Sequence, residues 1–338
     1  MHQRDKMLNR ESWKDLPIPD YRAPLVFRGG HGATLGIHFF KKSSVKYTLR
    51  LRLDTPDGDF FFTDMVPGND GKIVVLLHGL EGNSQRPYIM GMAQVAMGRG
   101  WGVAAMNFRS CDGQLNSRAR FYHSGETGDL EVLLNHLTEK MGFNRVVLVG
   151  FSLGGNVLLK YLGEKGESLH PAIEFGMAIS VPVDLSSSSD QIESLQNRLY
   201  LRRFLKSLKG KVRQKMEIHP DEIDWERGLR ARTFREFDEF ITAPLHGFEG
   251  AADYYRKSSS LFFLDRIAVP SVLLSAKNDS FLSNSCYPAV RDNSMLRTIF
   301  PKHGGHVGFP HWPVSKQTYP ELILSYLLSL ADDRDSTH

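Results

Sequence analysis

Short uninterrupted apolar runs alternate with segments of helical spacing along most of this chain. The runs are Ile73–Leu77, Gly102–Phe108, Val146–Val149, Ile173–Val181 and Val272–Ala276. Bounded by turn residues, they read as strands buried on both faces. Ile89, Met92, Ala93 and Ala96 recur at helical spacing over Pro87–Met97, with Gly98 and Gly100 to end the helix. Leu130, Leu133, Leu134, Leu137 and Met141 repeat the pattern behind a cap at Thr127 or Ser124. Pro320–Leu330 is an amphipathic closing helix, and a further helix is expected near Cys286–Val290, before a short strand at Leu296–Phe300. Strands alternating with crossover helices predict right-handed βαβ units and a mostly parallel central sheet flanked by helices. Tyr47–Leu53, the turn Thr55-Pro56-Asp57-Gly58-Asp59 and Phe60–Thr63 predict an antiparallel hairpin at the start of that sheet.

From Asp184 the pattern changes. A serine run, Ser186–Ser189, leads into helical segments with no strand between them, including Phe234–Ile241 and Gly247–Tyr255. This stretch predicts a helical cap inserted over the active edge of the sheet, supplying apolar walls to a pocket. The expected division is an arm at 1–22, core at 23–183, a cap at 184–260, core again at 261–332 and a tail at 333–338.

Composition narrows the function classes. The chain has 338 residues, 41% hydrophobic and 24% charged, an ordinary balance for a globular protein that can bury a large core. A formal net charge of +4 gives nucleic-acid binding no global support. Two cysteines, Cys111 and Cys286, argue for a reducing compartment rather than a disulfide framework. Residues 1–22 carry no apolar signal region, and the apolar run 146–159 is too short to span a bilayer, so a cytoplasmic protein is expected.

Candidate chemistry centres on Gly150-Phe151-Ser152-Leu153-Gly154. This G-x-S-x-G follows an apolar strand and opens a helical pattern, the setting of a nucleophile elbow. Glycine fits two positions either side of the serine because the tight turn crowds them. A serine hydroxyl needs a base to take its proton. In chain order the partners are an acid, Asp279, just past the strand Val272–Ala276, and a base, His306, in a glycine-rich loop past the last strand. Ser152 would attack a carbonyl carbon, His306 would shuttle the proton, and Asp279 would fix the imidazole. Backbone N–H groups of Leu80 and Leu153 would hold the oxyanion.

Rival readings exist for several residues. His303 competes with His306, and Asp265 and Asp292 compete with Asp279 without directly following a strong strand. His303, His306 and His311 match no standard zinc spacing, and no metal or organic cofactor is expected. His78 and His123 read as structural hydrogen-bonders. The basic run Arg198–Lys215 is either a solvated cap face or a weak peripheral contact with an anionic membrane.

Taken together these residues resemble the YheT-like branch of the α/β-hydrolases, family 4 of the AB hydrolase superfamily. The resemblance runs from about Tyr21 to about Leu330. It rests on Gly30-His31 and Thr34, His78-Gly79-Leu80-Glu81-Gly82, Pro87-Tyr88, Asn107-Phe108-Arg109 and Tyr122-His123-Ser124-Gly125-Glu126-Thr127. It continues through Gly150–Asn156, Asp238, Tyr254-Tyr255-Arg256, Asn278-Asp279 and Gly304-Gly305-His306-Val307-Gly308-Phe309. The resemblance implies the α/β-hydrolase fold and places nucleophile, acid and base on Ser152, Asp279 and His306. Ser280 stands where the family usually has proline, and Ser110 where it usually has glycine. The implied activity is hydrolysis of carboxylic esters, short-chain or lipid-like, through an acyl-enzyme, with a small-molecule ester as partner. A non-catalytic ligand-binding protein on the same fold, or an acyltransferase to an alcohol, are the alternatives.

Overall fold

The computed structural model describes residue 13 and residues 16–34, 44–68, 70–290, 293–312 and 317–333. Eight strands form one sheet: β1 (Leu49–Asp54), β2 (Phe60–Val66), β3 (Lys72–Leu77), β4 (Gly102–Asn107), β5 (Arg145–Phe151), β6 (Ile173–Ile179), β7 (Ser271–Leu274) and β8 (Leu296–Ile299). Their order is β1-β2-β4-β3-β5-β6-β7-β8. The β1–β2 hairpin is antiparallel, β2 also pairs antiparallel with β4, and the remaining neighbours are parallel. The hairpin turn closes through Thr55 N–H to Asp59 O and Gly58 N–H to Thr55 O.

The apolar runs face both ways because strand side chains alternate. Val74 and Leu76 of β3 pack toward α1 (Pro87–Gly98) and the closing helix, with Ile89, Met92, Ile323 and Leu327. Ile73, Val75 and Leu77 face the other way, onto α2 (Gly128–Asn135) and α3 (Leu153–Lys165), with Leu130, Leu133, Val157 and Leu158. Burial on both faces is what continuous apolar strands require.

Between β6 and β7 come α4 (Leu185–Ile192), α5 (Arg198–Ile218), α6 (Trp225–Arg230), helical turns over Phe234–Leu245, and α7 (Ala251–Ser258). The serine run itself is helical in α4, where the Asp184 carboxylate accepts from Ser187 N–H. The closing helix, α8 (Tyr319–Asp332), starts at Thr318 with a capping box to Glu321.

Three local expectations change. The helix of Leu137 and Met141 widens at His136–Lys140 into a π-type turn. Thr127 does not cap α2 with its side chain; its hydroxyl donates to Glu164 instead. No helix forms over Cys286–Val290, where a single 3-10 turn covers Asn284–Cys286. Pro288 disfavours the α region for Tyr287, which sits at φ −117° and ψ 61°. Asp292 and parts of the 1–22 arm and the 333–338 tail lie outside the described residues.

A buried cation joins the hairpin to the helical layer. Arg109, after β4, makes a bidentate contact with Asp129 at 2.6 and 2.8 Å and also reaches Asp57 and Asp59. Its three carboxylate partners offset the desolvation of a fully buried guanidinium.

Candidate active site

At the end of β5 the chain turns directly into α3, and Ser152 occupies that turn at φ 51° and ψ −118°. Few non-glycine residues adopt such angles, and the surroundings hold it there. Its N–H donates to Ile179 O at 2.8 Å and its carbonyl accepts from Asn156 N–H at 3.0 Å. A Cβ on Gly150 would sit 2.5 Å from the Gly154 carbonyl oxygen, and one on Gly154 would sit 2.5 Å from the His78 carbonyl oxygen. The turn therefore excludes side chains at both positions.

Asp279 leaves β7 in a tight turn, with its N–H donating to Ala276 O at 3.0 Å. The side chain is buried. Oδ1 accepts from Phe281 N–H at 3.0 Å, and Oδ2 lies 2.8 Å from His306 Nδ1. An ionised carboxylate can only accept, so Nδ1 carries the proton and Nε2 presents a lone pair. That Nε2 lies 3.1 Å from Ser152 Oγ. The structure thus brings Ser152, His306 and Asp279 into one hydrogen-bonded line.

The loop carrying His306 is fixed by residues distant in sequence. Thr34 Oγ1 accepts the His306 N–H at 2.8 Å, and Ser180 Oγ accepts the Val307 N–H at 2.9 Å. Gly305, at φ 63°, donates to Asn278 Oδ1 at 3.0 Å. The Phe281 ring lies against the imidazole, centroids 4.4 Å apart. Reading for reactive groups passes over Thr34, Ser180 and Asn278, since none carries the chemistry. Thr34 and Asn278 do belong to the pattern of the resemblance, which is the signal that could have marked them.

Leu80 follows β3, and Leu153 is the first residue of α3. Both line a cavity of about 380 Å³ together with Ser152 and His306. Among the described residues neither N–H has a protein acceptor. Next to Leu80, Glu81 sits at φ 54°, with its carboxylate held by Tyr122 Oη at 2.9 Å, by Lys211 Nζ at 2.7 Å and by Ser207.

The far wall of the cavity comes from the helices between β6 and β7. Leu185, Ile192, Phe204, Leu208, Phe234 and Phe237 give it an apolar side. A polar side carries Asp238, which accepts from Tyr255 Oη at 2.7 Å and Thr242 Oγ1 at 2.6 Å. Burial raises the Asp238 carboxyl to about 6, against the opposing effect of those two donors.

The other histidines are separated. His303 is half-buried with Nδ1 at Arg28 O, and His311 stacks on Tyr319. Asp265 is exposed and away from the cavity lining. His78 is fully buried; Nε2 accepts from Phe108 N–H at 3.1 Å, so Nδ1 donates to Gly79 O, and burial lowers its pKa to about 3. His123, Glu126 and His246 form a group whose ligand atoms lie within 4.8 Å of one another, which could hold a cation. Arg120 Nη2 already sits 2.8 Å from Glu126 Oε2, and Gly125 N–H donates to His123 Nδ1. The guanidinium supplies the positive charge that a metal would bring there.

The basic run is not uniformly solvated. Arg198, Arg202, Arg203, Lys206 and Arg213 are exposed. Lys211 instead reaches Glu81, and Lys215 is fully buried, donating to the carbonyls of Asn116 and Arg118. Burial pulls the Lys215 ammonium down to about 8. Charge counting cannot see this, because both lysines fall on inward helical positions.

Comparison with known proteins follows the same lines. The family model of the alpha/beta hydrolase fold matches residues 72–310. YheT of Escherichia coli (strain K12) is 35% identical over 291 residues, covering 84% of this chain and 85% of YheT. The monoacylglycerol lipase of Saccharomyces cerevisiae is 28% identical over 270 residues, covering 77% of this chain and 60% of the yeast protein. An esterase of Pyrococcus furiosus shares the fold with a TM-score of 0.55 at 14% identity, covering 87% of this chain and 97% of that structure.

Proposed function

This chain belongs to the YheT-like branch of the α/β-hydrolase family, and from that premise we propose that it is a serine hydrolase of carboxylic esters. One observation carries the reading: the continuous line Asp279–His306–Ser152, with contacts of 2.8 and 3.1 Å, at the floor of a largely apolar cavity.

In the proposed reaction His306 Nε2 takes the Ser152 proton as Oγ attacks the ester carbonyl carbon. The oxyanion that forms accepts from the Leu80 and Leu153 N–H groups, each worth roughly 3 kcal/mol in the transition state. Collapse breaks the C–O bond, and the alcohol leaves with the proton from His306. Water then attacks the acyl carbon as His306 takes its proton, and the bond to Ser152 Oγ breaks to release the acid as His306 returns that proton to Oγ. Asp279 keeps the imidazole in the tautomer this requires and stabilises its cation.

The helices between β6 and β7 act as a cap, and their apolar side receives the acyl chain of a short-chain or lipid-like small-molecule ester. The yeast relative is named as a monoacylglycerol lipase, which supports that class. Both cysteines are free and buried, consistent with a reducing, cytoplasmic setting.

A fluorophosphonate probe tests the reading. The full chain is expected to be labelled at Ser152, and Ser152→Ala to lose both labelling and ester hydrolysis. An unlabelled native protein, or hydrolysis that survives in Ser152→Ala, overturns it.

A further inference from the structure

We propose that the N-terminal half of α5, with its exposed Leu199 and with Leu195 just before it, is a docking surface for an anionic lipid bilayer. Three faces of α5 can be told apart. Leu201, Leu205, Val212 and Lys215 are buried. Tyr200, Phe204, Ser207, Leu208 and Lys211 line the cavity. Leu199, Arg202, Arg203, Lys206 and Arg213 are exposed.

The exposed face is cationic without compensation. Among the described residues no carboxylate lies within ion-pair distance of Arg198, Arg202, Arg203 or Lys206. Three of these arginines fall in the opening turns of the helix, whose first turn contains no acidic residue. Arg198, the first residue of the helix, adds its charge to the positive end of the helix dipole, an arrangement that costs stability in water and is relieved by an anionic surface.

Large apolar groups sit among these charges. Leu195 is 87% exposed and Leu199 is 77% exposed, on either side of Arg198. Exposed leucines beside exposed arginines are what an interfacial helix uses to enter the headgroup layer. No helix among the described residues is long and apolar enough to cross a membrane. A second copy of the chain fits this face poorly, because two-fold pairing would set the same cations against each other.

The position of the face gives the contact a use. Arg203 is both exposed and part of the cavity lining, next to Tyr200 and Phe204. A molecule docked by this face holds the cavity rim against the lipid, where apolar chains can pass into the pocket above Ser152.

Vesicle co-sedimentation of the full chain tests the proposal. The protein is expected to pellet with phosphatidylcholine vesicles that contain phosphatidylglycerol and not with phosphatidylcholine alone. Binding should fall as salt rises from about 0.05 to 0.5 M, because the Debye length shrinks severalfold. Arg198→Glu/Arg202→Glu should weaken partition by about 25-fold or more, at roughly fivefold per cation removed. Leu195→Asp/Leu199→Asp should weaken it as well. None of these four residues lines the cavity, so fluorophosphonate labelling should be unchanged in both variants, and neither variant should lose thermal stability. Co-sedimentation reads binding without turnover, so its outcome is separate from the ester-hydrolase reading. Equal pelleting with both vesicle types, unchanged binding in the variants, or a native dimer that the variants convert to monomer would overturn the proposal.

Discussion

Lys211 Nζ lies 2.7 Å from Glu81 Oε1, so the helix that walls the cavity is tied to the residue next to Leu80. Both side chains are mostly buried, which makes the pair a strong positional constraint and a costly one to break singly. Tyr122 Oη adds to it by accepting the Glu81 N–H and donating to the Glu81 carboxylate, at 2.9 Å each.

If that pair holds the Leu80 N–H in place, Glu81→Gln and Lys211→Met should lower kcat on a water-soluble ester by about 10- to 100-fold, less than the loss of a whole oxyanion donor. KM should change far less. The double variant should be milder than the sum of the singles, since neither charge is left unpaired, with a coupling of about 1–3 kcal/mol. Equal changes in kcat and KM would mean that the pair only shapes the pocket.

Asp279→Asn should keep the fold and lower kcat by about 10⁴-fold. An amide N–H facing Nδ1 would force the imidazole proton onto Nε2, leaving no lone pair for Ser152. Steady-state kinetics alongside circular dichroism will check this, and near-normal turnover would remove Asp279 from the mechanism.

Asp238 gives a pH signature. Burial raises its folded pKa to about 6, above the ordinary value near 4. A carboxyl raised in the folded state contributes stability that is fully present below the unfolded pKa and is lost as pH rises through the folded one. The stability difference between native protein and Asp238→Asn should therefore shift against the native protein by roughly 2 kcal/mol between pH 4 and pH 7, allowing for partial screening at the cavity wall. Buried His78 works in the opposite sense over this range and cancels in the comparison. Denaturant melts at several pH values will measure the difference, and a pH-independent one would contradict the assignment.

Glycines at different places should respond oppositely to alanine. Gly150→Ala puts a Cβ 2.5 Å from the Gly154 carbonyl oxygen and should cost at least about 2 kcal/mol of stability. Gly210 lies inside α5 with nothing within 4 Å of its Cβ position. Gly210→Ala should add about 0.5–1 kcal/mol. Thermal unfolding of the two variants tests whether the elbow glycine is set by packing.

Much of the fold was legible because the parallel strands are buried on both faces. That burial writes itself into the sequence as continuous apolar runs such as Ile73–Leu77. The glycines around Ser152 were legible for a similar reason, since a turn without room admits few residue types. The π-type widening after Asn135 was not, because α and π turns share nearly the same apolar spacing.

By itself the sequence determined the layered sheet, the elbow at Ser152 and the candidate partners at 279 and 306, since each follows from local pattern and chain order. Only the tertiary structure decided which hydroxyls hold the His306 loop, that Lys211 and Lys215 turn inward while Arg202 and Lys206 face water, and that the Asp238 carboxylate meets the Tyr255 hydroxyl. Those outcomes depend on contacts between residues up to 272 positions apart, as for Thr34 and His306. Sequence periodicity reports which side of an element is apolar, and it carries no information on which distant polar group will meet a given side chain once the elements pack.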